Sequence, residues 1–336
     1  MSDKKYAVVV CGYNEMFNLP RCLKGLIHTV EKPEDLIFVD DASTDNSYEW
    51  VIEHYPQITR LRNQKNKHYA GAYNAGIRVA IDQGKDYVLM VNADTEVVED
   101  NFVKKLVNVA ERLQDAGFIG PKVYYRQKGE IQNTSLLKPT LWRHIFGWFC
   151  WRVRPSSYNR FGDQEHRAEF INTICCLIRA RTINEAGLMD EKMGIYCEDA
   201  EWMTRAEGKG WNSYYVPKES IIHHEKRTGY EHYSLKTFML KRNIVYYMLL
   251  RRGWNESALY ALFAVALAII RFGFAPLKRE SMRRHVYFLR RLVIVYWKLL
   301  LRKPLGHWFG PPLGSWNNSY FNSSNSLQGQ GDHRDK

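Results

Sequence analysis

Three short apolar runs, Tyr6–Cys11 (YAVVVC), Leu36–Val39 and Tyr87–Val91 (YVLMV), and a further strand candidate, Ile58–Leu61, alternate with segments whose apolar residues recur at helical spacing. The three apolar runs have the pattern of strands covered on both faces. Asn18–Val30 carries Leu19, Cys22, Leu23, Leu26 and Ile27 on one helical face. Ser43-Thr44-Asp45 offers capping groups to a helix over Ser47–His54, and further helices are expected over Gly71–Gln83 and Glu99–Ala116. Strand, loop and helix repeated in this order give an α/β chain with a doubly wound, mostly parallel sheet. A ligand of such a sheet lies beyond the carboxyl ends of its strands.

Three polar clusters fall at those ends: Cys11-Gly12-Tyr13-Asn14-Glu15, Asp40-Asp41-Ala42-Ser43-Thr44-Asp45, and Asn92-Ala93-Asp94. Each alone reads equally well as a cap or a turn. Together they gather carboxylates at one sheet edge, where they repel unless a cation or a donor-rich ligand joins them. A hard divalent ion with a nucleoside diphosphate meets that need.

The motifs VVVCGYNE (8–15), IFVDDASTDNS (37–47), NKHYAGAYNAGI (66–77), VLMVNADTEV (88–97), GPK (120–122), NTICCLIRARTINEAGLMDE (172–191) and GIYCEDAEWMTRAEGKGW (194–211) stand in the order of the family 2 glycosyltransferases of GT-A fold. The chain resembles that family over about residues 6–230, closest to the rhamnosyltransferase-like enzymes of bacterial surface polysaccharides. The resemblance implies that Cys11, Tyr13, Asn14 and Asp41 hold the base and ribose of a dTDP- or UDP-sugar, with Asn74 and Asn92 also on the donor side. Asn92-Ala93-Asp94 stands for the family's DxD motif, so metal binding falls mainly to Asp94, because a neutral amide is a poor ligand for hard Mg²⁺ or Mn²⁺. His68 stands where relatives usually have glycine.

Glu198-Asp199 matches the family's ED pair. An inverting transfer needs a carboxylate to take the acceptor hydroxyl's proton, and the resemblance assigns that to Asp199, with Glu198 orienting it or binding acceptor hydroxyls. A pair of acids opening a helix is also favoured by the helix dipole alone. In SIIHHE (220–225), His223 with Thr228 five residues on fits the family's metal-ligand histidine, and strand alternation lets only one of His223 and His224 face the site.

The net charge of +12 is concentrated: residues 226–303 carry 17 basic and 3 acidic residues. On a helical projection Arg283, Arg284, Arg290, Arg291, Lys298 and Arg302 form one stripe, with Val286, Leu289, Leu292, Val293, Tyr296 and Leu300 largely opposite. That pattern suits an anionic membrane surface, the alternative being a helix packed on the catalytic domain with solvated arginines. The apolar stretch Ala258–Leu277 is interrupted by Arg271 and Pro276, which argues against a span. Nucleic acid is not expected, since no binding motif accompanies the charge. The six cysteines lack paired-ligand spacing, so a reduced, cytosolic compartment is expected, and the charged Met1–Tyr6 gives no sign of a signal peptide.

The expectation is therefore a GT-A catalytic domain (1–225), a basic helical membrane-associating region (226–303) and a disordered tail (304–336), peripheral on the cytoplasmic face of the inner membrane. The enzyme transfers a sugar from its donor to a glycan or lipid-linked glycan. The rivals are a sugar nucleotidyltransferase, which would need a basic phosphate loop where CGYNE stands, and a non-catalytic nucleotide-sugar or membrane-binding scaffold.

Overall fold

The computed structural model describes residues 4–125, 130–149, 164–224, 235–273 and 279–301. In chain order the elements are β1 (Tyr6–Gly12), α1 (Leu19–Leu26), β2 (Leu36–Asp40), α2 (Ser47–His54), β3 (Thr59–Arg62), α3 (His68–Asp82), β4 (Tyr87–Asn92), β5 (Thr95–Glu96), α4 (Phe102–Arg112), β6 (Ala116–Tyr125), β7 (Ile131–Gln132) and β8 (Ser135–Leu136). There follow α5 (Leu141–Phe149), β9 (His166–Ala168), β10 (Phe170–Ile171), β11 (Cys175–Arg179), α6 (Ala180–Ala186), α7 (Glu198–Glu207), β12 (Asn212–His223), α8 (Leu235–Arg251), α9 (Trp254–Gly273) and α10 (Arg279–Leu300). Thr228, the side chains of Arg283 and Arg284, Arg302 and the 304–336 tail lie outside the described residues.

The main sheet runs β3-β2-β1-β4-β11-β6-β12-β5. Its first half is parallel, as the alternation of strands and helices predicts. The second half is mixed, because β11 enters antiparallel between β4 and β6, while β12 returns parallel to β6. Register does the work of assembling a site: Cys11 pairs with Asn92 and Gly12 with Asp40, so three polar strand ends finish level. The strand order reverses at β1, which opens a crevice there.

Alternate residues of each central strand feed opposite cores. Val8, Val10, Phe38 and Leu89 pack under α1, α2 and α4. Ala7, Val9, Ile37 and Met90 face α3, α6 and α7. A Cβ at Gly76 would overlap Val9, so glycine lets α3 lie close on β1. The second core continues without a break into α8, α9 and α10 through Val245, Tyr247, Tyr260, Leu292 and Tyr296.

Candidate active site

The loop after β1 is held by the loop after β2. Asn14 sits at φ 57°, its N–H donates to Ser43 Oγ at 3.0 Å, and its Oδ1 accepts from the Thr44 N–H at 2.8 Å. Asp45 Oδ2 accepts from the Met16 N–H at 3.0 Å. Asp45 also bonds the Ser47 N–H at 3.2 Å, while the cap position itself, Asn46, is left-handed and gives no side-chain bond. Asp41 is buried and accepts from Asn63 Nδ2 at 2.8 Å and the Lys67 N–H at 2.9 Å. Burial still raises its carboxyl above the ordinary range.

At the end of β4, Asn92 turns its amide oxygen into the protein, where it accepts from the Tyr73 hydroxyl at 3.0 Å and the Tyr69 hydroxyl at 3.3 Å. Tyr69 is anchored in turn on the Thr173 carbonyl at 2.7 Å. The oxygen that would stand for the first DxD acid is thus engaged away from any cation.

Asp94 Oδ1 lies 3.2 Å from His223 Nε2. His223 Nδ1 lies 2.7 Å from Gln132 Oε1, so with the amide so oriented the ring donates from Nδ1 and presents the Nε2 lone pair to the carboxylate. Two lone pairs at that spacing require a proton or a cation between them. Neighbouring ligands of an octahedral ion at ~2.1 Å stand about 3 Å apart, which the pair matches. Among the described residues no group of three or more His, Cys, Asp or Glu converges on one point, so the protein offers two ligands, one oxygen and one nitrogen. His224 lies past the end of β12, where alternation no longer applies. Both histidines therefore line the cleft, but the His224 ring is taken by Glu96 at 2.7 Å.

The opposite wall comes from the start of α7. Tyr196 (φ 73°) and Cys197 (φ 66°) are left-handed, and this turn brings Glu198 and Asp199 into the cleft. Asp199 Oδ1 accepts from the Ala200 N–H at 2.7 Å, whereas Glu198 Oε2 is buried with no partner. Burial raises the Asp199 carboxyl to about 6. Burial, and then the charge of Asp199, hold Glu198 well above the carboxylate range. One carboxylate able to accept a proton near neutrality thus stands beside one kept protonated.

The cleft between these walls has a volume of about 900 Å³. Asn14, Asn92, Asp94, His223, Glu198 and Asp199, all expected from sequence, line it together. Cys11, Tyr13 and Asp41 lie at the strand ends but are not in its wall. Asn74 is not in the wall either. It is buried in α3 and donates to the Met189 carbonyl at 2.9 Å and Glu191 Oε1 at 3.0 Å, while its Oδ1 accepts from the Met189 N–H at 3.1 Å. These bonds tie α3 to the loop before α7. His68, at φ 59°, takes a glycine-like conformation despite its side chain.

Sequence reasoning missed Tyr69, Gln132 and the pair Arg242-Asn243. The last two are buried in α8 and bond the carbonyls of Lys192, Met193, Ile195 and Tyr196. Polar residues inside an otherwise apolar helical stripe were the available signal.

Sheet order, crevice and paired walls define a GT-A-like α/β fold. Solved structures of that kind include GalNAc-T7 with UDP, GalNAc and Mn²⁺ (TM-score 0.59, 16% identity, 91% of this chain and 59% of that one). Staphylococcus aureus TarS 1–349 in complex with UDP is also similar (TM-score 0.50, 14% identity, 87% of this chain and 80% of that one). The profile of glycosyl transferase family 2 matches residues 7–184, and the chain belongs to that family. Among curated relatives, an N-acetylglucosaminyl-diphospho-decaprenol L-rhamnosyltransferase of Mycobacterium tuberculosis is 26% identical over 269 residues, covering 75% of this chain and 87% of its own. A dTDP-rhamnosyl transferase RfbF of Shigella flexneri is 21% identical over 223 residues, covering 66% of this chain and 70% of its own.

Proposed function

We propose that this enzyme transfers a sugar, with inversion, from a dTDP- or UDP-sugar to a glycan acceptor carried on a lipid. The observation that carries the reading is the pairing of two walls in one cleft: Asp94 with His223 on one side, Glu198 with Asp199 on the other. Asp94 and His223 would hold Mg²⁺ or Mn²⁺ with the donor diphosphate completing the shell, and the ion supplies positive charge to the leaving group. Asn14 and Asn92 face the donor from the ends of β1 and β4, with Cys11, Tyr13 and Asp41 around the base and ribose.

Asp199, ionised above about pH 6, takes the proton of the attacking acceptor hydroxyl. Glu198, protonated, donates a hydrogen bond to an acceptor oxygen through Oε2, the carboxyl oxygen that lacks a protein partner. The rhamnosyltransferase relatives support a deoxyhexose donor, and the mycobacterial one a lipid-diphosphate acceptor. The basic region 226–303 then works against the anionic cytoplasmic face of the inner membrane, where such acceptors are presented.

The test is a thermal-shift series of nucleotide sugars with Mn²⁺, followed by release of nucleoside diphosphate when acceptor is added. Selective stabilisation by one donor and acceptor-dependent release are expected. Donor binding with no release on any lipid-linked glycan would leave a binding scaffold instead.

A further inference from the structure

A helix packed on a protein surface ordinarily turns polar residues outward. Among the described residues, helices α9 and α10 instead turn mostly apolar side chains outward. Their inward residues, Tyr260, Ala261 and Ala264 of α9 and Leu292, Val295 and Tyr296 of α10, are buried. On the outer side of α9, Leu259 (56% exposed), Leu262 (69%), Ile269 (53%) and Ile270 recur at helical spacing. On the outer side of α10, Val286 (54%), Val293 and Trp297 (64%) do the same and lead to Leu301. Ten of the sixteen large apolar side chains exposed among the described residues lie between Trp254 and Leu301.

The two stripes adjoin. Trp254 Nε1 donates to the Leu300 carbonyl at 3.1 Å, which sets the start of α9 beside the end of α10. In that antiparallel pairing Leu262 falls near Val293, and Ile269 near Val286. The result is one apolar strip about 25 Å long, at 1.5 Å per residue.

This corrects the sequence reading of α10. Leu292 and Tyr296, expected on a lipid-facing side, are buried against the protein, while Val286 and Val293 face out. Arg291, expected in a free basic stripe, lies over the Tyr287 and Phe238 rings at 5.4 and 5.7 Å. Among the described residues the exposed Arg290 lies on the same side as Val286 and Val293, not opposite them.

We propose that the α9–α10 strip is the surface by which this enzyme seats in an anionic lipid leaflet, its apolar side chains inserted at the interface. Charge selects the occupant: the strip belongs to the segment with 17 basic and 3 acidic residues, the exposed Arg290 stands among its outward residues, and the exposed Arg252, paired with Glu256 at 2.9 Å, stands at its rim beside Trp254. Phosphate headgroups complement that rim while acyl chains take the apolar centre. Trp254 and Trp297 at one end have the amphipathic rings that settle at headgroup depth. No helix among the described residues is long and apolar enough to cross a membrane, so the strip lies in the surface rather than through it. The inference builds on the membrane-presented acceptor proposed above and identifies the surface that meets the membrane.

The experiment is co-sedimentation of the full chain with phosphatidylcholine/phosphatidylglycerol vesicles and with phosphatidylcholine alone, for wild type, Leu262→Gln/Val293→Gln and Trp297→Gln. The altered residues face outward, so circular dichroism and thermal melts should match wild type. Wild type should bind the anionic vesicles, keep part of that binding at high salt, and show tryptophan quenching by brominated lipid. The double variant should bind about tenfold more weakly or worse. Equal binding by all three proteins would overturn the proposal. So would a wild-type dimer that the substitutions convert to monomer, since the strip would then join two copies. Nucleoside diphosphate release with a soluble acceptor analogue is measured in parallel. Its absence in every protein would defeat the proposed reaction while leaving the vesicle result standing.

Discussion

The side-chain amide of Asn243, buried in the middle of α8, donates to the Tyr196 carbonyl at 2.7 Å and also reaches the carbonyls of Met193 and Ile195, each at 2.8 Å. Arg242 braces it, with Nε on Asn243 Oδ1 at 2.7 Å and Nη2 on the Lys192 and Met193 carbonyls. The left-handed turn at Tyr196 and Cys197 launches α7, so a helix beyond the family's matched segment holds the loop that aims the acid pair. Asn243→Ala leaves several buried carbonyls short of a donor, at about 1–3 kcal/mol for the site. Turnover should fall more than donor affinity, because the donor loops after β1, β2 and β4 are untouched. Calorimetric donor binding beside steady-state kinetics separates the two. Equal losses in both would mean general unfolding.

The cation site gives the second prediction. Asp94→Ala and His223→Ala should each abolish saturable Mn²⁺ binding in the presence of nucleoside diphosphate, with the fold retained. Gln132→Leu frees the His223 ring and should weaken Mn²⁺ by about 10- to 100-fold, the usual range for a group that orients a ligand. Asn92→Ala should change Mn²⁺ affinity little, because its amide oxygen is already held by Tyr69 and Tyr73. Titration calorimetry of Mn²⁺ checks all four. Turnover unaffected by EDTA in the wild type would remove the metal from the reaction.

The parallel half of the sheet was legible because its strands alternate with helices and β1, β2 and β4 are short apolar runs with polar ends, which finish level once neighbours pair in parallel. The antiparallel entry of β11 was not, since an apolar run such as CCLIR carries no mark of direction. The bonds of Asn74 to Met189 and Glu191 were not legible for a related reason: an amide on a helix looks the same in sequence whether it meets a ligand or a neighbouring loop. The outward face of α10 was misjudged because two of its stripes are apolar, and only packing against α8 and α9 decides which is buried. Asp94, Glu198 and Asp199 could be named only through the resemblance of their motifs to the family's, since carboxylates at a strand end or a helix start read equally well as turn and cap residues.

Asp199 gives the third prediction. Its carboxyl is raised to about 6, so a base role puts an acid limb in kcat/KM near that pH, with activity lost below it. Asp199→Asn keeps shape and removes the proton acceptor, and turnover should fall by about 10²–10⁴-fold with donor affinity nearly unchanged. Glu198→Gln keeps the hydrogen-bond donor of a protonated acid and should be much milder. An inactive Glu198→Gln beside an active Asp199→Asn would place the base on the other carboxylate.

The same buried acid sets a dependence of stability on pH. Glu198 is held well above its ordinary range by burial and by Asp199, so the folded protein keeps a proton that the unfolded chain releases near pH 4.3. Where the unfolded state binds fewer protons, stability falls as pH rises. The loss begins above the unfolded value and grows until the folded value is reached. Glu198→Gln removes the titration while keeping the shape. Its melting temperature should therefore exceed that of wild type at pH 7–8, and the gap should shrink as pH falls toward 5. Thermal melts of both proteins across that range, without metal or nucleotide, measure it. A gap that stays constant with pH would show that Glu198 titrates alike in both states, which its buried, unpartnered carboxyl oxygen does not allow.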